Sequence, residues 1–108
     1  MKSGSLFRLI SKSGEEVSPG ERGLLLHKNS TVCSTGFSNH SANAVCSEMG
    51  YKRAVNWTTR YDDDYDQERC QVKLRAVNCS NDDWGSCNYS VSSDCEHRED
   101  VFLTCDGW

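Results

Sequence analysis

Short runs of β-favouring apolar residues recur along the chain, each bounded by Ser, Gly or Asn. Runs of this kind are typical of short β-strands that bury one or both faces. We predict strands at residues 6–10, 23–27, 30–33 and 101–105. A fifth strand is predicted at residues 70–77, where the alternation of apolar and charged residues is most regular.

Residues 39–49 carry the one pattern that favours a helix. Ser38 or Asn39 can cap its N-terminus with a side-chain oxygen. Gly50 follows at the position where helices often end with a positive φ. Four apolar residues recur at helical spacing and make a single stripe: Ala42, Val45, Cys46 and Met49.

Between the helix and the fifth strand, we interpret residues 52–69 as a long loop. It contains the acidic run 62–68, with the sequence D-D-D-Y-D-Q-E. A run like this is commonly a solvated loop, which is the interpretation we adopt. A calcium loop is the alternative, but the run lacks the Gly and the final Glu of an EF-hand loop.

Composition limits the size of the core and the class of partner. The chain has 108 residues, which suits one domain, and only 36% of them are hydrophobic. The small core and the seven cysteines suggest covalent cross-links. A net charge of -4 argues against nucleic acid as the physiological partner. No apolar run is long enough to cross a bilayer, so we expect no direct membrane insertion.

The cysteines alone leave disulfides, zinc ligands and reduced thiols open, although no C-x-x-C pair is present. Five N-x-[S/T] sequons occur where roughly one is expected by chance. An accidental match on a Ser- and Asn-rich surface is the alternative, but sequons and cysteines together favour an oxidising, extracellular setting. The candidate glycosylation sites are Asn29, Asn39, Asn56, Asn78 and Asn88.

The N-terminus lacks the apolar stretch of a signal peptide. We therefore interpret the chain as a module of a longer secreted or membrane-anchored protein. Residues 1–5 are interpreted as a cloning remnant or linker, and residues 6–108 as a single domain.

Four segments resemble the motifs of the scavenger receptor cysteine-rich domain. F-R-L-I at 7–10 is similar to the family's opening V-R-L-V, and T-V-C-S-T-G-F at 31–37 resembles T-V-C-D-D-G-W. A-N-A-V-C-S-E-M-G-Y at 42–51 resembles D-A-x-V-V-C-R-Q-L-G-[YC]. C-E-H-R-E-D-V-F-L-T-C at 95–105 resembles C-x-H-x-E-D-A-G-V-x-C. The resemblance spans nearly the whole chain.

The resemblance implies an α+β fold, a small disulfide-rich domain in which a curved antiparallel β-sheet cradles one α-helix. Tyr51 stands where the eight-cysteine class of the family has a cysteine, so the chain resembles the six-cysteine class. The implied bridges are Cys33–Cys95, Cys46–Cys105 and Cys79–Cys87. Cys70 has no place in this frame and is expected to be unpaired, to form an intermolecular disulfide, or to be a small core residue.

Relatives bind a cation through clustered acidic residues, and most of those acids are replaced here. The matching positions hold Ser34, Thr35, Ser41, Arg75 and Ala76. Glu99 and Asp100 remain as weak metal candidates, so we predict no tight calcium site and no cofactor.

We predict an extracellular module of a larger receptor or secreted protein that recognises a protein or polyanionic ligand, of the kind used in scavenging and innate immunity. A structural or regulatory module of a multidomain extracellular enzyme is the alternative. The domain itself is predicted not to be an enzyme. A pair of Cys70 with His27, His40 or His97 would need an electropositive pocket to activate the thiol, and the acidic loop opposes the charge of the adjacent Arg69. The candidate ligand residues are Arg69, Lys73 and Arg75, for which an ordinary solvated face is the alternative.

Overall fold

The computed structural model describes residues 7–27, 30–34, 36–61, 65, 73–92 and 96–107. One helix and seven strands are present in this part of the chain, together with two short 3-10 helices at Trp84–Ser86 and His97–Glu99. In chain order the elements are β1 Phe7–Ile10, β2 Arg22–His27, β3 Ser30–Val32, α1 Asn39–Glu48, β4 Arg53–Thr59, β5 Lys73–Cys79, β6 Cys87–Ser92 and β7 Val101–Asp106.

The strands form one sheet in the order β4-β7-β2-β3-β5-β6, with β1 also paired to β2. All of these pairings are antiparallel except β3 with β5, which is parallel. The predicted fold class, an α+β domain with a sheet and one helix, is confirmed. The single parallel pairing makes the sheet mixed rather than purely antiparallel.

The main core lies between the sheet and α1. Ala42, Val45 and Cys46 of the helix are fully buried, and they pack with alternate residues of the strands. From β7 these are Val101, Leu103 and Cys105, while Phe102 points to the other face. Successive residues of β7 therefore point alternately to two faces of the sheet that are both buried. This explains why the sequence of β7 is a continuous apolar run.

A second, smaller core covers the opposite face of the sheet. Leu24, Leu26 and Phe102 pack there with Tyr65, which is only 8% exposed. The rings of Tyr65 and Phe102 meet edge to face with their centroids 4.9 Å apart, and the guanidinium of Arg22 lies 5.6 Å from the Phe102 centroid. The acidic run is thus anchored at Tyr65, which corrects the interpretation of a wholly solvated loop. Its residues 62–64 and 66–68 lie outside the described part.

Helix α1 begins at the predicted residue, Asn39, and ends at Glu48, one residue before the predicted end. The Ser38 hydroxyl accepts a hydrogen bond from the Ser41 backbone N–H at 3.3 Å, so Ser38, not Asn39, is the N-cap. Gly50 has φ 91°, as the sequence predicted for the residue after the helix. With ten residues α1 is short, and no helix among the described residues is long and apolar enough to span a membrane.

The prediction of a continuous loop over 52–69 was wrong, because β4 occupies Arg53–Thr59. The register between β4 and β7 shifts between Ala54 and Asn56, which places a β-bulge at Val55. Ala54 and Trp57 both pack against the core although they lie three positions apart in the sequence. The bulge therefore breaks the period-two alternation by which a strand is recognised in a sequence.

The fifth predicted strand is present as β5 and extends to Cys79, while residues 70–72 of the prediction lie outside the described part; a further strand, β6, was not predicted. β5 pairs with β6 from Lys73 to Cys79, with a register shift between Arg75 and Asn78. Val77 and Cys79 are buried after this shift. A bulge reverses the face on which the residues beyond it lie. The burial of Val77 and Cys79 therefore does not imply that positions 73 and 75 are buried on the same face.

The structure contains the disulfides Cys46–Cys105 and Cys79–Cys87. Cys46–Cys105 joins α1 to β7, and Cys79–Cys87 joins directly opposed residues of β5 and β6. Cys33 is also disulfide-bonded. Cys95, its partner in the pairing implied by the family resemblance, lies outside the described residues, as does Cys70.

Candidate functional site

A surface groove of about 320 Å³ lies between α1 and β4. We call it the α1–β4 groove. Its described walls are side-chain amides, an indole and small apolar groups, and none of the described lining residues is titratable. The lining residues are Asn39, Ala42, Asn43, Ala54, Val55, Asn56 and Trp57.

The helix contributes two asparagines to the groove, four residues apart and therefore on one side of α1. The Asn43 carbonyl oxygen accepts a hydrogen bond from the Ala54 backbone N–H at 2.8 Å. The Asn39 carbonyl oxygen accepts one from the Trp57 indole N–H at 3.1 Å. These two contacts fix the distance between helix and strand, so the groove is a built feature of the fold.

The strand contributes the rest of the groove through its bulge. Val55, the extra residue, is 62% exposed at the edge of the groove. Trp57 lies half-buried, and its ring meets that of Phe37 with centroids 4.9 Å apart. The strand wall of the groove therefore combines a packed aromatic side chain with an exposed apolar one.

Next to the groove, α1 contacts the loop that follows β5. The His40 Nδ1 lies 2.8 Å from an Asp82 carboxylate oxygen, and the Asn43 amide donates to the same oxygen at 3.3 Å. The hydrogen bond with His40, and then that with Asn43, lowers the pKa of Asp82 below its ordinary value. Both His40 and Asp82 are largely exposed, so this contact sits in solvent and ties the loop to the helix.

Amide and indole groups without an acid, a base or a nucleophile among them can hold a polar ligand by hydrogen bonds and stacking. General acid–base or nucleophilic catalysis needs a titratable side chain, and the described lining of the groove contains none. Among the described residues no three His, Cys, Asp or Glu side chains are grouped so as to hold a metal ion. The described lining suits reversible recognition of a polar ligand.

The predicted ligand residues lie elsewhere. Lys73 and Arg75 are in β5, where they oppose Ser92 and Ser90 of β6. Arg69 lies outside the described residues. The structure thus places the two described basic positions on one strand, at the end of the sheet away from the α1–β4 groove.

The residues at the family's cation positions have other roles in this structure. Ser41 is fully buried, and its hydroxyl donates to the Val77 carbonyl at 2.9 Å. The backbone N–H of Ser34 donates to the Glu99 carbonyl at 3.0 Å. Asp100 is fully buried beside Cys33, with which it forms a β-bridge. Thr35 lies outside the described residues.

Four of the five sequon asparagines are described, and all four are exposed: Asn39, Asn56, Asn78 and Asn88. Asn56 lies in β4 and Asn88 in β6, while Asn78 lies directly opposite Asn88 in the register of β5 with β6. Asn29 is outside the described part of the chain.

A sequence profile of the scavenger receptor cysteine-rich (SRCR) domain matches residues 15–106, which is most of the chain. The chain belongs to the SRCR family. The SRCR domain itself is non-catalytic, and it occurs in extracellular or secreted proteins. Both the family predicted from the sequence and the extracellular location are confirmed.

Several relatives of this SRCR domain are lysyl oxidase homolog 2 proteins. Identity is 35% over 83 residues to the protein of Xenopus laevis, 34% over 83 residues to that of Gallus gallus, and 32% over 85 residues to that of Homo sapiens. Each match covers 69% of this chain and 10% of the relative. The chain thus spans about a tenth of the length of these relatives.

Among solved structures, the dimeric form of the SRCR domain of mouse MARCO is similar, with a TM-score of 0.57. The similarity covers 85% of this chain and 93% of the MARCO domain at 22% sequence identity. At this identity the match supports the SRCR fold alone.

Sequence reasoning did not find the α1–β4 groove, since it had assigned one of the two walls to a loop. The available signal was the segment Arg53–Thr59, whose Val, Trp and two Thr residues are β-favouring. The bulge at Val55 concealed that signal, as described above for β4.

Proposed function

We propose that this SRCR domain is a non-catalytic binding module of a larger extracellular protein. The observation that carries the proposal is the α1–β4 groove, a rigid surface feature whose lining offers hydrogen bonds and an indole but no titratable group. The matches to relatives about ten times longer than the matched segment support the modular part of the proposal.

A polyanion is the ligand class that we propose for the basic residues Arg69, Lys73 and Arg75. Lys73 and Arg75 lie two positions apart on β5. Arg69 lies four positions before Lys73, so it follows the same period-two alternation in the sequence. Arginine and lysine contact sulfate and carboxylate groups directly, so no bridging cation is required. Ser41 stands where relatives have an acid that helps to bind a cation, and here its hydroxyl donates a hydrogen bond to the Val77 carbonyl instead. This supports a ligand interaction without a calcium ion.

Heparin oligosaccharide binding, measured by isothermal titration calorimetry, tests this proposal. We expect binding that weakens steeply with salt and is unchanged by EDTA. The double variant Lys73→Ala/Arg75→Ala should bind roughly tenfold more weakly. Arg8→Ala/Lys12→Ala removes the same charge from exposed residues at β1 and the following turn and is the matched control.

Three results would contradict the polyanion proposal: no heparin binding by the wild-type domain, an equal loss in the control variant, or binding abolished by EDTA. A micromolar calcium isotherm would likewise show that a cation site remains despite the substitutions at Ser34, Thr35, Ser41 and Ala76.

A second candidate function follows from the lysyl oxidase homolog 2 relatives. In this case the domain is a structural or regulatory module of a multidomain extracellular enzyme that oxidises lysyl side chains. Deleting the domain from such a parent should leave oxidation of a small amine unchanged and alter oxidation of a protein substrate. Loss of both activities to the same degree would indicate a role in folding of the parent instead.

A further inference from the structure

Three strands of the sheet pair with a neighbour on one side only within the described part of the chain: β1, β4 and β6. An edge strand presents backbone N–H and C=O groups that can pair with a strand of another molecule. Edge strands of stable proteins are therefore short, charged, bulged or covered. How each of these three edges meets that requirement can be read from its residues.

β1 meets the requirement by length and charge. It has four residues, and its second residue is the exposed Arg8, whose Nε lies 3.6 Å from a carboxylate oxygen of Glu16. β4 and β6 are longer, with seven and six residues. Arg53 at the start of β4 is the only charged residue in either of them, and neither contains proline.

Two structural features hinder edge pairing in the first half of β4. The bulge lies at Val55, and the Ala54 backbone N–H is occupied by the Asn43 side chain. In the second half, Asn56 to Thr59, the described hydrogen bond to α1 is the one that the Trp57 indole donates to Asn39, and neither charge nor proline is present. β6, with the sequence C-N-Y-S-V-S, contains neither charge nor proline, although its pairing with β5 shifts register opposite the stretch from Asn88 to Ser90.

Two of the five sequons lie in these two stretches, which contain neither charge nor proline. Asn56-Trp57-Thr58 is entirely within β4, and Asn88-Tyr89-Ser90 is entirely within β6. Asn56 and Asn88 are both exposed. Each uncharged edge therefore carries one acceptor for a bulky hydrophilic group.

We propose that N-glycans on Asn56 and Asn88 cover the two ends of the sheet and prevent edge-to-edge association of the domain. In the reaction, the Asn amide nitrogen loses one proton and bonds to the anomeric carbon of an oligosaccharide, while the bond from that carbon to a lipid diphosphate breaks; no redox change occurs. A glycan on Asn56 would also occupy part of the α1–β4 groove, because Asn56 lines the groove beside the exposed Val55.

The other described sequons do not serve this purpose. Asn39 lies in the first turn of α1, and its carbonyl oxygen is held by the Trp57 indole. Asn78 lies in β5, a strand with neighbours on both sides, and is directly opposite Asn88. A glycan on Asn78 would therefore compete for the space of the Asn88 glycan. The inference rests on the extracellular location and is independent of the proposed ligand.

The experiment uses the 108-residue chain secreted from cells that attach high-mannose N-glycans. Thr58→Ala and Ser90→Ala each abolish a sequon without altering the asparagine, whereas Thr58→Ser and Ser90→Thr preserve it. Asn29→Gln removes a sequon that lies in the sequence between β2 and β3, outside β4 and β6. Glycopeptide mass spectrometry gives the occupancy, and size-exclusion chromatography with light scattering gives the association state over a range of concentrations.

We expect Asn56 and Asn88 to be occupied, and Thr58→Ala/Ser90→Ala to associate at a protein concentration roughly tenfold lower than the wild type. Thr58→Ser/Ser90→Thr and Asn29→Gln should behave as the wild type. If the double Ala variant is not secreted, endoglycosidase trimming of the folded wild type to single sugars should produce the same association. Unoccupied Asn56 and Asn88, or a deglycosylated domain that stays as monomeric as the wild type, would overturn the proposal.

Discussion

The β4 end of the sheet is held by contacts between distant parts of the chain, whereas the β6 end is held by its neighbour in sequence. β4 pairs with β7 and is linked to α1 through Asn43 and Trp57, next to a disulfide that joins residues 59 apart. β6 pairs with β5 and is closed by a disulfide that joins residues eight apart. The comparison teaches that one end depends on the whole domain, and the other is a locally stabilised hairpin.

The largest effect should follow removal of the long-range bridge. Closing a loop of 59 residues contributes about 4 kcal/mol through the entropy of the unfolded chain, against a total stability of about 5–15 kcal/mol. Cys46→Ala/Cys105→Ala should therefore lose most of its free energy of unfolding in urea denaturation followed by circular dichroism. A loss smaller than that of the short-bridge variant described next would reverse the comparison.

The short bridge should matter less and act locally. Closing a loop of eight residues contributes about 2.5 kcal/mol, so Cys79→Ala/Cys87→Ala should remain folded but be less stable. Hydrogen exchange should become faster in β5 and β6 and stay slow in β4 and β7. Equal acceleration in all four strands would mean that the hairpin is not a separate unit.

Asn43 sharpens the comparison because it joins the β4 end to the helix without a covalent bond. Asn43→Ala leaves the partly buried Ala54 N–H without its acceptor, which should lower the free energy of unfolding by about 1–3 kcal/mol. Asn81→Ala is the control, because the Asn81 side chain accepts a hydrogen bond from Asp83 in an exposed loop. Faster hydrogen exchange at the Ala54 amide in Asn43→Ala alone is expected; no difference between the variants would contradict the assigned role.

The smallest effect concerns pH at the contact between α1 and the loop after β5. The pKa of Asp82 is lowered from its ordinary 3.8, chiefly by the hydrogen bond with His40, so the folded protein favours the ionised form. Its contribution to stability is complete above the ordinary pKa and is lost as the pH falls through the folded value. Both side chains are exposed, so the effect should be small.

Asp82→Asn should therefore show a slightly weaker loss of stability on acidification than the wild type, when urea midpoints are compared from neutral pH to below 3.8. Asp83→Asn removes a charge from the same loop and serves as the control. Identical acid dependence in the wild type and Asp82→Asn would show that the contact does not contribute to stability.

Elements with uninterrupted patterns could be predicted from the sequence. β2 and β7 are continuous apolar runs because both of their faces are buried, and α1 has a cap at Ser38, an apolar stripe and Gly50. β4 could not be predicted by alternation, since the bulge at Val55 displaces Trp57 by one position. The α1–β4 groove was missed for the same reason, because its second wall is β4.

The positions that bind a cation in relatives show a different limit of prediction from the sequence. The sequence showed that Ser41 stands where relatives have an acid, and it predicted a weakened site. It could not show that the hydroxyl is buried and donates to the carbonyl of Val77, 36 residues away. Such a partner is determined by how α1 packs on the sheet, which no local pattern contains.

The position of β7 in the sheet has a consequence for biosynthesis. β7 is the last strand in the sequence, yet it pairs with β4 on one side and β2 on the other. A nascent chain that ends before residue 101 lacks the strand that joins these two, as well as the cysteine that bridges to Cys46. The sheet therefore cannot be completed on the ribosome until residues 101–106 have left the exit tunnel, and until then Cys46 is available to enzymes that shuffle disulfides.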